Sequence, residues 1–324
     1  MIVSVSRRTD IPAFYSDWFM DKIEKGYVEV INPFNRKQVS KIELTPKTVD
    51  CFVFWSKNPE PMLSKLDALD QKGFQYYFQF TVTSYQSDIE TGVKNKNDII
   101  RTFINLSKKI GKEKVVWRYD PILINNRYTK EYHYKWFEAL CKRLSNYTNK
   151  CVISFLDMYT KTKRNTKDLK LIDISNEDMR DIAKNLSSIG SKYNIIIETC
   201  CEAIDLSLCN IQKGKCIDDK IIQQIIGTPL NVKKDETQRE VCGCVKSVDI
   251  GQYNTCKHFC AYCYANYNRS LVIDNCKIHD VHSPLLVGKL VGDETITIRE
   301  MKSVKCNEYG NQMELDFNKI EERI

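Results

Sequence analysis

Hydrophobic and polar positions follow a repeating order along this chain: a short β-branched or aromatic run, then a charged stretch whose apolar residues recur at helical spacing. The pattern predicts strands at residues 2–6, 51–55, 75–83, 114–118, 151–156 and 195–199, and helices at 16–25, 61–71, 98–110, 130–145 and 176–189. Two more extended runs, 27–31 and 38–44 around Pro33 and Asn35, read as a hairpin inserted after the first helix. Strands that each feed a helix pair in parallel, because the connection must cross back over the sheet. Six such units predict an α/β fold built as a TIM-type (β/α) barrel or partial barrel. Beyond Cys200 the rhythm weakens to a helix at 218–226, a polar stretch at 233–240, a short strand at 247–250, a helix at 264–267 and β-like pieces at 285–290 and 295–298. The expected organisation is a βα-barrel core over 1–199, a cysteine-rich region over 200–270 that completes the barrel, and a packing segment over 271–324.

Composition supports one compact main domain. A chain of 324 residues with 42% hydrophobic and 28% charged residues, and only 12 Gly and 8 Pro, can bury a substantial core and is neither linker-rich nor fibrous. No apolar run approaches the roughly 20 residues that span a bilayer, and charge arrives at Arg7 and Arg8 before any signal-like core develops, so no membrane partner and a cytoplasmic location are expected. The net charge of +7 is spread without a dense basic block, which reads as solvated lysines and lends nucleic acid little support as a partner.

The 14 cysteines change the picture. A reducing compartment keeps thiols from pairing as structural disulfides, so a crowd of them points to metal. Cys51, Cys141 and Cys151 lie in predicted core elements and read as small apolar residues, whereas the remaining eleven fall at or after Cys200. The densest group is Cys256, Cys260 and Cys263, spaced C-x3-C-x2-C after the short strand. Three thiolates on one loop can grip three irons of a [4Fe-4S] cube and leave the fourth open, as a catalytic metal requires. His258 inside the motif is assigned to hydrogen bonding around sulfur rather than to the metal, and His133, His279 and His282 are treated as structural. Cys200, Cys216, Cys242 and Cys244 make a second set of four. Their long spacings leave a fully ligated second [4Fe-4S] cluster, a zinc site and unmetallated thiols all open; Cys201, Cys209, Cys276 and Cys306 are spare candidates.

The predicted strands share one further trait: each ends in polar residues, where a barrel gathers its functional groups. Arg7 follows the first strand, Lys57 the second, Thr81 and Thr83 close the third, Arg118 and Asp120 the fourth, and Glu198 the sixth. Any one of them reads equally as an ion pair or a loop cap, and Arg118 with Asp120 as an internal pair. Recurrence on every strand selects Arg118, Asp120, Arg7 and Lys57 as candidates to meet substrate, and Thr81, Thr83 and Glu198 as candidates to hold a cofactor.

Cys256, Cys260 and Cys263, with the aromatic Tyr262 before the last, resemble the signature of radical SAM enzymes. That resemblance implies S-adenosylmethionine on the open iron, reductive cleavage to a 5'-deoxyadenosyl radical, a flavodoxin- or ferredoxin-like electron donor, and the backbone near Tyr262 against the adenine. The run from Tyr253 to Asn266 also resembles the C-terminal cysteine cluster of the bacterial domain-of-unknown-function 1848 family. Ser6-Arg7-Arg8-Thr9-Asp10-Ile11-Pro12, Phe54-Trp55-Ser56-Lys57-Asn58-Pro59 and Trp117-Arg118-Tyr119-Asp120-Pro121-Ile122 fit the same family, over roughly residues 1–286. Radical SAM enzymes carry the cysteine loop after their first barrel strand, whereas here it follows the last; a circular permutation reconciles the two. No Gly-Gly-Glu segment of that superfamily is found. Three rival readings stand beside a radical SAM enzyme of unknown substrate. The Cys-x-Tyr-Cys-Tyr ending resembles DNA-repair enzymes of the spore-photoproduct-lyase type, and the cysteines alone also suit a zinc module or a non-catalytic iron-sulfur electron carrier.

Overall fold

The computed structural model describes residues 1–306. Strand β1 (Ile2–Val5) leads into helices α1 (Ile11–Phe14) and α2 (Ser16–Lys25), and the hairpin of β2 (Tyr27–Asn32) and β3 (Asn35–Glu43) follows. Then come β4 (Cys51–Ser56), α3 (Glu60–Leu63), α4 (Leu66–Gln71), β5 (Tyr76–Thr81), α5 (Lys96–Ile110), β6 (Val115–Ile122) and α6 (Lys130–Leu144). The chain continues through β7 (Lys150–Phe155), α7 (Thr160–Asn165), α8 (Asn176–Lys192), β8 (Ile196–Cys200) and β9 (Gln212–Gly214). It closes with α9 (Asp219–Ile226), β10 (Val248–Asp249), α10 (Arg269–Lys277) and β11 (Thr295–Arg299).

The six predicted strands are all present, and β9 and β10 extend them to an eight-stranded parallel sheet in the order β10-β1-β4-β5-β6-β7-β8-β9. Among the described residues β9 and β10 are the edges of this sheet, so the expected α/β fold with a parallel sheet is present, and closure of the barrel is not seen. The hairpin forms as expected; β11 joins β3 in parallel to make a separate three-stranded sheet.

Period two along the strands divides the sheet into two faces. One carries Val3, Phe52, Phe54, Phe78, Trp117 and Ile153, packed under the helices; Phe54 stacks on Phe78 with ring centroids 4.7 Å apart. The other carries Ile2, Val53, Tyr77, Val116 and Val152 towards the strand starts, but Ser4, Trp55, Gln79, Arg118, Asp120 and Ser154 towards the strand ends. Burial on both faces explains the near-continuous apolar runs read from the sequence. The cysteine-rich segment and α9 cover this second face: Tyr77 Oη and Gln79 Nε2 each donate to the Cys216 carbonyl at 2.7 Å.

Three expectations fail for local reasons. The helix expected over 61–71 is two short helices meeting at Ser64 and Lys65. Residues 264–267 are not helical, because Asn254 N donates to the Ala265 carbonyl (3.0 Å) and Asn266 Nδ2 to the Cys256 carbonyl (2.8 Å), tying the segment back to the cysteine loop. Helix α10 starts only at Arg269, where Asn268 caps it. Residues 285–290 form no strand: side chains claim their carbonyls, Trp18 Nε1 that of Leu285 (3.1 Å) and His279 Nδ1 that of Leu286 (2.7 Å). Of the packing segment expected over 271–324, residues 307–324 lie outside the described residues.

His133 is fully buried on α6, with Nδ1 2.7 Å from Tyr119 Oη and Nε2 2.9 Å from the Leu123 carbonyl, which joins α6 to the end of β6. Burial depresses its pKa from 6.5 to about 4. Between those values the unfolded chain takes up a proton that the folded chain refuses, so this contribution to stability is complete above pH 6.5 and lost as pH falls towards 4. The loss amounts to about 3 kcal/mol. Urea titrations of the wild type should show this fall, and His133→Asn should flatten the profile in that window.

Candidate functional site

The C-terminal strand ends open on a cavity of about 480 Å³, within the range of about 300–1,000 Å³ usual for small-molecule sites. Its walls bring together Arg7, Lys57, Thr81, Arg118, Asp120 and Tyr262. All seven cysteines of the two predicted sets line it as well, although they are spread over 64 positions from 200 to 263. Thr83 and Glu198 do not. Thr83 is buried one layer back, donating to Glu90 Oε1 at 2.7 Å. Glu198 shares the face of Cys200 but lies two residues nearer the strand start, where Lys150 binds it at 2.9 Å.

The loop bearing Cys256, Cys260 and Cys263 is seated from two directions. Strand β10 pairs in parallel with β1, Val3 with Val248 and Ser4 with Asp249, and the Asp249 carboxylate accepts from Ser4 Oγ (2.8 Å), Ser6 Oγ (2.6 Å), Arg7 N (2.8 Å) and Gly251 N (3.0 Å). From the other side the segment after β5 abuts the loop. Ala261 N donates to the Ile89 carbonyl and Gly92 N to the His258 carbonyl, both at 2.8 Å, and Glu90 forms a backbone bridge to Cys260. His258 Nε2 meets Asp10 Oδ2 at 2.7 Å, and the same oxygen accepts from Lys57 N at 2.7 Å. His258 therefore anchors the loop to the end of β1 and the end of β4.

Glu90 is the group that sequence reasoning missed. Buried, it accepts from Lys57 Nζ (2.7 Å), Lys96 Nζ, Thr83 Oγ1 and Tyr262 Oη. Burial pushes its pKa up, but Lys57 and Lys96 outweigh that and hold it well below the carboxylate range. Burial likewise pulls Lys57 down, and Glu90 more than restores it. Two ammonium groups around one carboxylate leave a positive surplus beside Cys260, and no motif spacing in the sequence marks it.

Burial raises all three thiols of the loop, Cys260 to about 12. Backbone N–H groups address two of the sulfurs: those of Ala265 and Asn266 on Cys263, that of His258 on Cys256. Three soft donors on one loop, with backbone amides and the Lys57 ammonium beside them, are of the kind an iron-sulfur cluster takes. Among the described residues no three His, Cys, Asp or Glu side chains converge on a point that one metal ion could occupy.

At the other edge of the sheet Cys200 Sγ and Cys216 Sγ stand 2.9 Å apart, and Cys216, Cys242 and Cys244 share one buried cluster against which Cys200 and Cys201 pack. Cys201, expected only as a spare, lines the cavity with them. Arg118 Nη1 donates to Cys216 Sγ at 2.8 Å while Nε donates to Asp120 Oδ2 at 3.1 Å, so the expected internal pair exists and also faces the cavity. The other spares are placed elsewhere: Cys276 Sγ lies 3.1 Å from Tyr15 Oη, Cys209 Sγ meets the Arg180 carbonyl at 3.5 Å, and Cys306 is exposed.

Fold and site together define an α/β protein with a parallel sheet and a cysteine-walled cavity at its strand ends. The chain belongs to the DUF1848 family, a domain of unknown function, whose profile matches residues 2–265. No curated protein matches it. Among solved structures it is similar to a proposed alpha-L-fucosidase from Bacteroides thetaiotaomicron VPI-5482, at 11% identity over 49% of this chain and 66% of that one, with a TM-score of 0.26. The chain thus spans just under two thirds of that protein, and so loose a superposition carries no argument.

Gly92 tests how the loop is held. A Cβ there would lie 2.3 Å from the Lys257 carbonyl oxygen and 2.9 Å from that of His258, both backbone atoms that cannot swing aside. Gly92→Ala should cost about 1–3 kcal/mol in denaturant unfolding. Alkylation of Cys256 and Cys263, followed by mass spectrometry, should be faster in the variant than in the wild type.

Proposed function

We propose that the protein is a radical-SAM-type enzyme of unknown substrate, with Cys256, Cys260 and Cys263 as the three protein ligands of a [4Fe-4S] cluster whose fourth iron takes S-adenosylmethionine. The observation that carries this reading is the seat of the C-x3-C-x2-C loop: it follows a parallel strand paired with β1 and faces the cavity into which the other strand ends project. In spatial order β10 precedes β1, so the cysteine loop follows the first strand of the sheet although it comes late in the chain. That order supports a circularly permuted partial barrel.

When bound, the cluster and S-adenosylmethionine supply a one-electron reductive cleavage that generates a carbon radical. The chain's own part is to hold, orient and shield. Lys57, backed by Glu90, offsets negative charge at the sulfurs, and Arg7, Lys57 and Arg118 are wall cations able to meet a carboxylate. Tyr262, held by Glu90, sets the backbone that the family resemblance assigns to the adenine. Such chemistry requires a flavodoxin- or ferredoxin-like donor and a reducing, cytoplasmic setting.

Anaerobic purification, iron and sulfide analysis, and incubation with dithionite and S-adenosylmethionine test this directly. Release of 5'-deoxyadenosine is expected, with loss of more than about 100-fold in C256A/C260A/C263A, beyond the scale at which removing the outer-sphere partners of metal ligands acts. A colourless, zinc-loaded protein overturns the reading. A redox-active cluster that never yields 5'-deoxyadenosine leaves an electron carrier in its place.

A further inference from the structure

We propose that Cys200, Cys216, Cys242 and Cys244 ligate a second, fully coordinated iron-sulfur cluster in the wall of the same cavity, at the β8–β9 edge of the sheet. The inference stands on the sulfur geometry at that edge and not on the S-adenosylmethionine reading.

Three separate chain segments converge to build this group. Cys200 ends β8, and Cys201 at φ +59° turns the chain away. Cys216 follows β9, whose Gly214 passes so close to β8 that a Cβ would meet Glu198 Oε2 at 2.5 Å. Cys242 and Cys244 flank Gly243 in a turn held by Ile217 N on Cys244 Sγ (3.4 Å) and by Asp235 N on the Cys244 carbonyl (2.9 Å). Cys200 Sγ and Cys216 Sγ come within 2.9 Å, and Cys216, Cys242 and Cys244 share one buried cluster with Cys200 packed against it, each a free thiol.

The chain supplies its own contrast. Cys51 and Cys151 are buried cysteines whose sulfurs meet only a backbone carbonyl, as expected of small apolar fillers. The second group instead places sulfur against sulfur, directs a buried guanidinium at one of them, and opens on a cavity. Four soft donors suit iron-sulfur or zinc. The spacing favours the cluster: one residue separates Cys242 from Cys244, fewer than the about two to four that separate paired zinc ligands. Either centre with four thiolates is an anion that must be offset when buried, and Arg118 stands 2.8 Å from Cys216 Sγ. Cys201, at the left-handed turn where the chain leaves β8, is left out of the ligand set.

The test counts iron on the full chain reconstituted without oxygen. The wild type should hold about eight irons, and C256A/C260A/C263A about four, with the Mössbauer doublet of a [4Fe-4S] cluster. Since the second site is intact in that variant, its signal does not depend on a damaged site refolding. C201A should keep the wild-type count, and adding C244S to the triple variant should remove or degrade the remaining signal. Iron absent from the triple variant, or zinc in its place, overturns the proposal. Because 5'-deoxyadenosine release is read separately on the wild type, either reading can fail while the other stands.

Discussion

Two residue pairs of parallel pairing, Val3 with Val248 and Ser4 with Asp249, fix where the cysteine loop of this protein sits. Parallel strands point their C-terminal ends the same way, so whatever follows β10 must emerge beside the loop that follows β1. A two-residue strand is a weak tether by itself. The Asp249 carboxylate reinforces it, gathering two serine hydroxyls and two backbone amides from both loops. The cysteine loop, Arg7 and the His258–Asp10 contact all take their positions from that junction.

Charge is balanced locally around the sulfurs. At one edge Lys57 and Lys96 share Glu90; at the other Arg118 shares Asp120 while touching Cys216. A lone buried cation would cost several kcal/mol, so each is kept with a carboxylate and then lent to the thiols. Burial raises the thiol pKa values of Cys256 and Cys263, and at Cys263 two backbone amides and the Lys57 and Lys161 ammonium groups offset part of that rise.

The fold was legible wherever local pattern and tertiary role agree. Apolar runs such as Cys51–Ser56 and Tyr76–Thr81 declared strands, and helices with a caps-and-stripe pattern, such as Lys130–Leu144 behind Thr129, declared themselves to within a residue or two. What could not be read was whether the sheet closes, since strand count does not fix closure and β9 and β10 are too short to show a period. The cysteine motif was legible because its donors share one loop. Glu90 was not: its role comes from Lys57, Lys96 and Tyr262, brought to it by folding, and its own neighbours in sequence form an unremarkable loop. Residues 264–267 were misread for a related reason, because side-chain bonds from Asn266 replace helical ones.

The separation of 245 positions between Ser4 and Asp249 also dictates an order of events during synthesis. While the ribosome makes the intervening chain, the flank of β1 that β10 will occupy stands bare, and the three-cysteine loop has no seat. Until then its thiols lack the amides and cations that surround them in the finished fold. Seating of this loop is therefore a late step of folding.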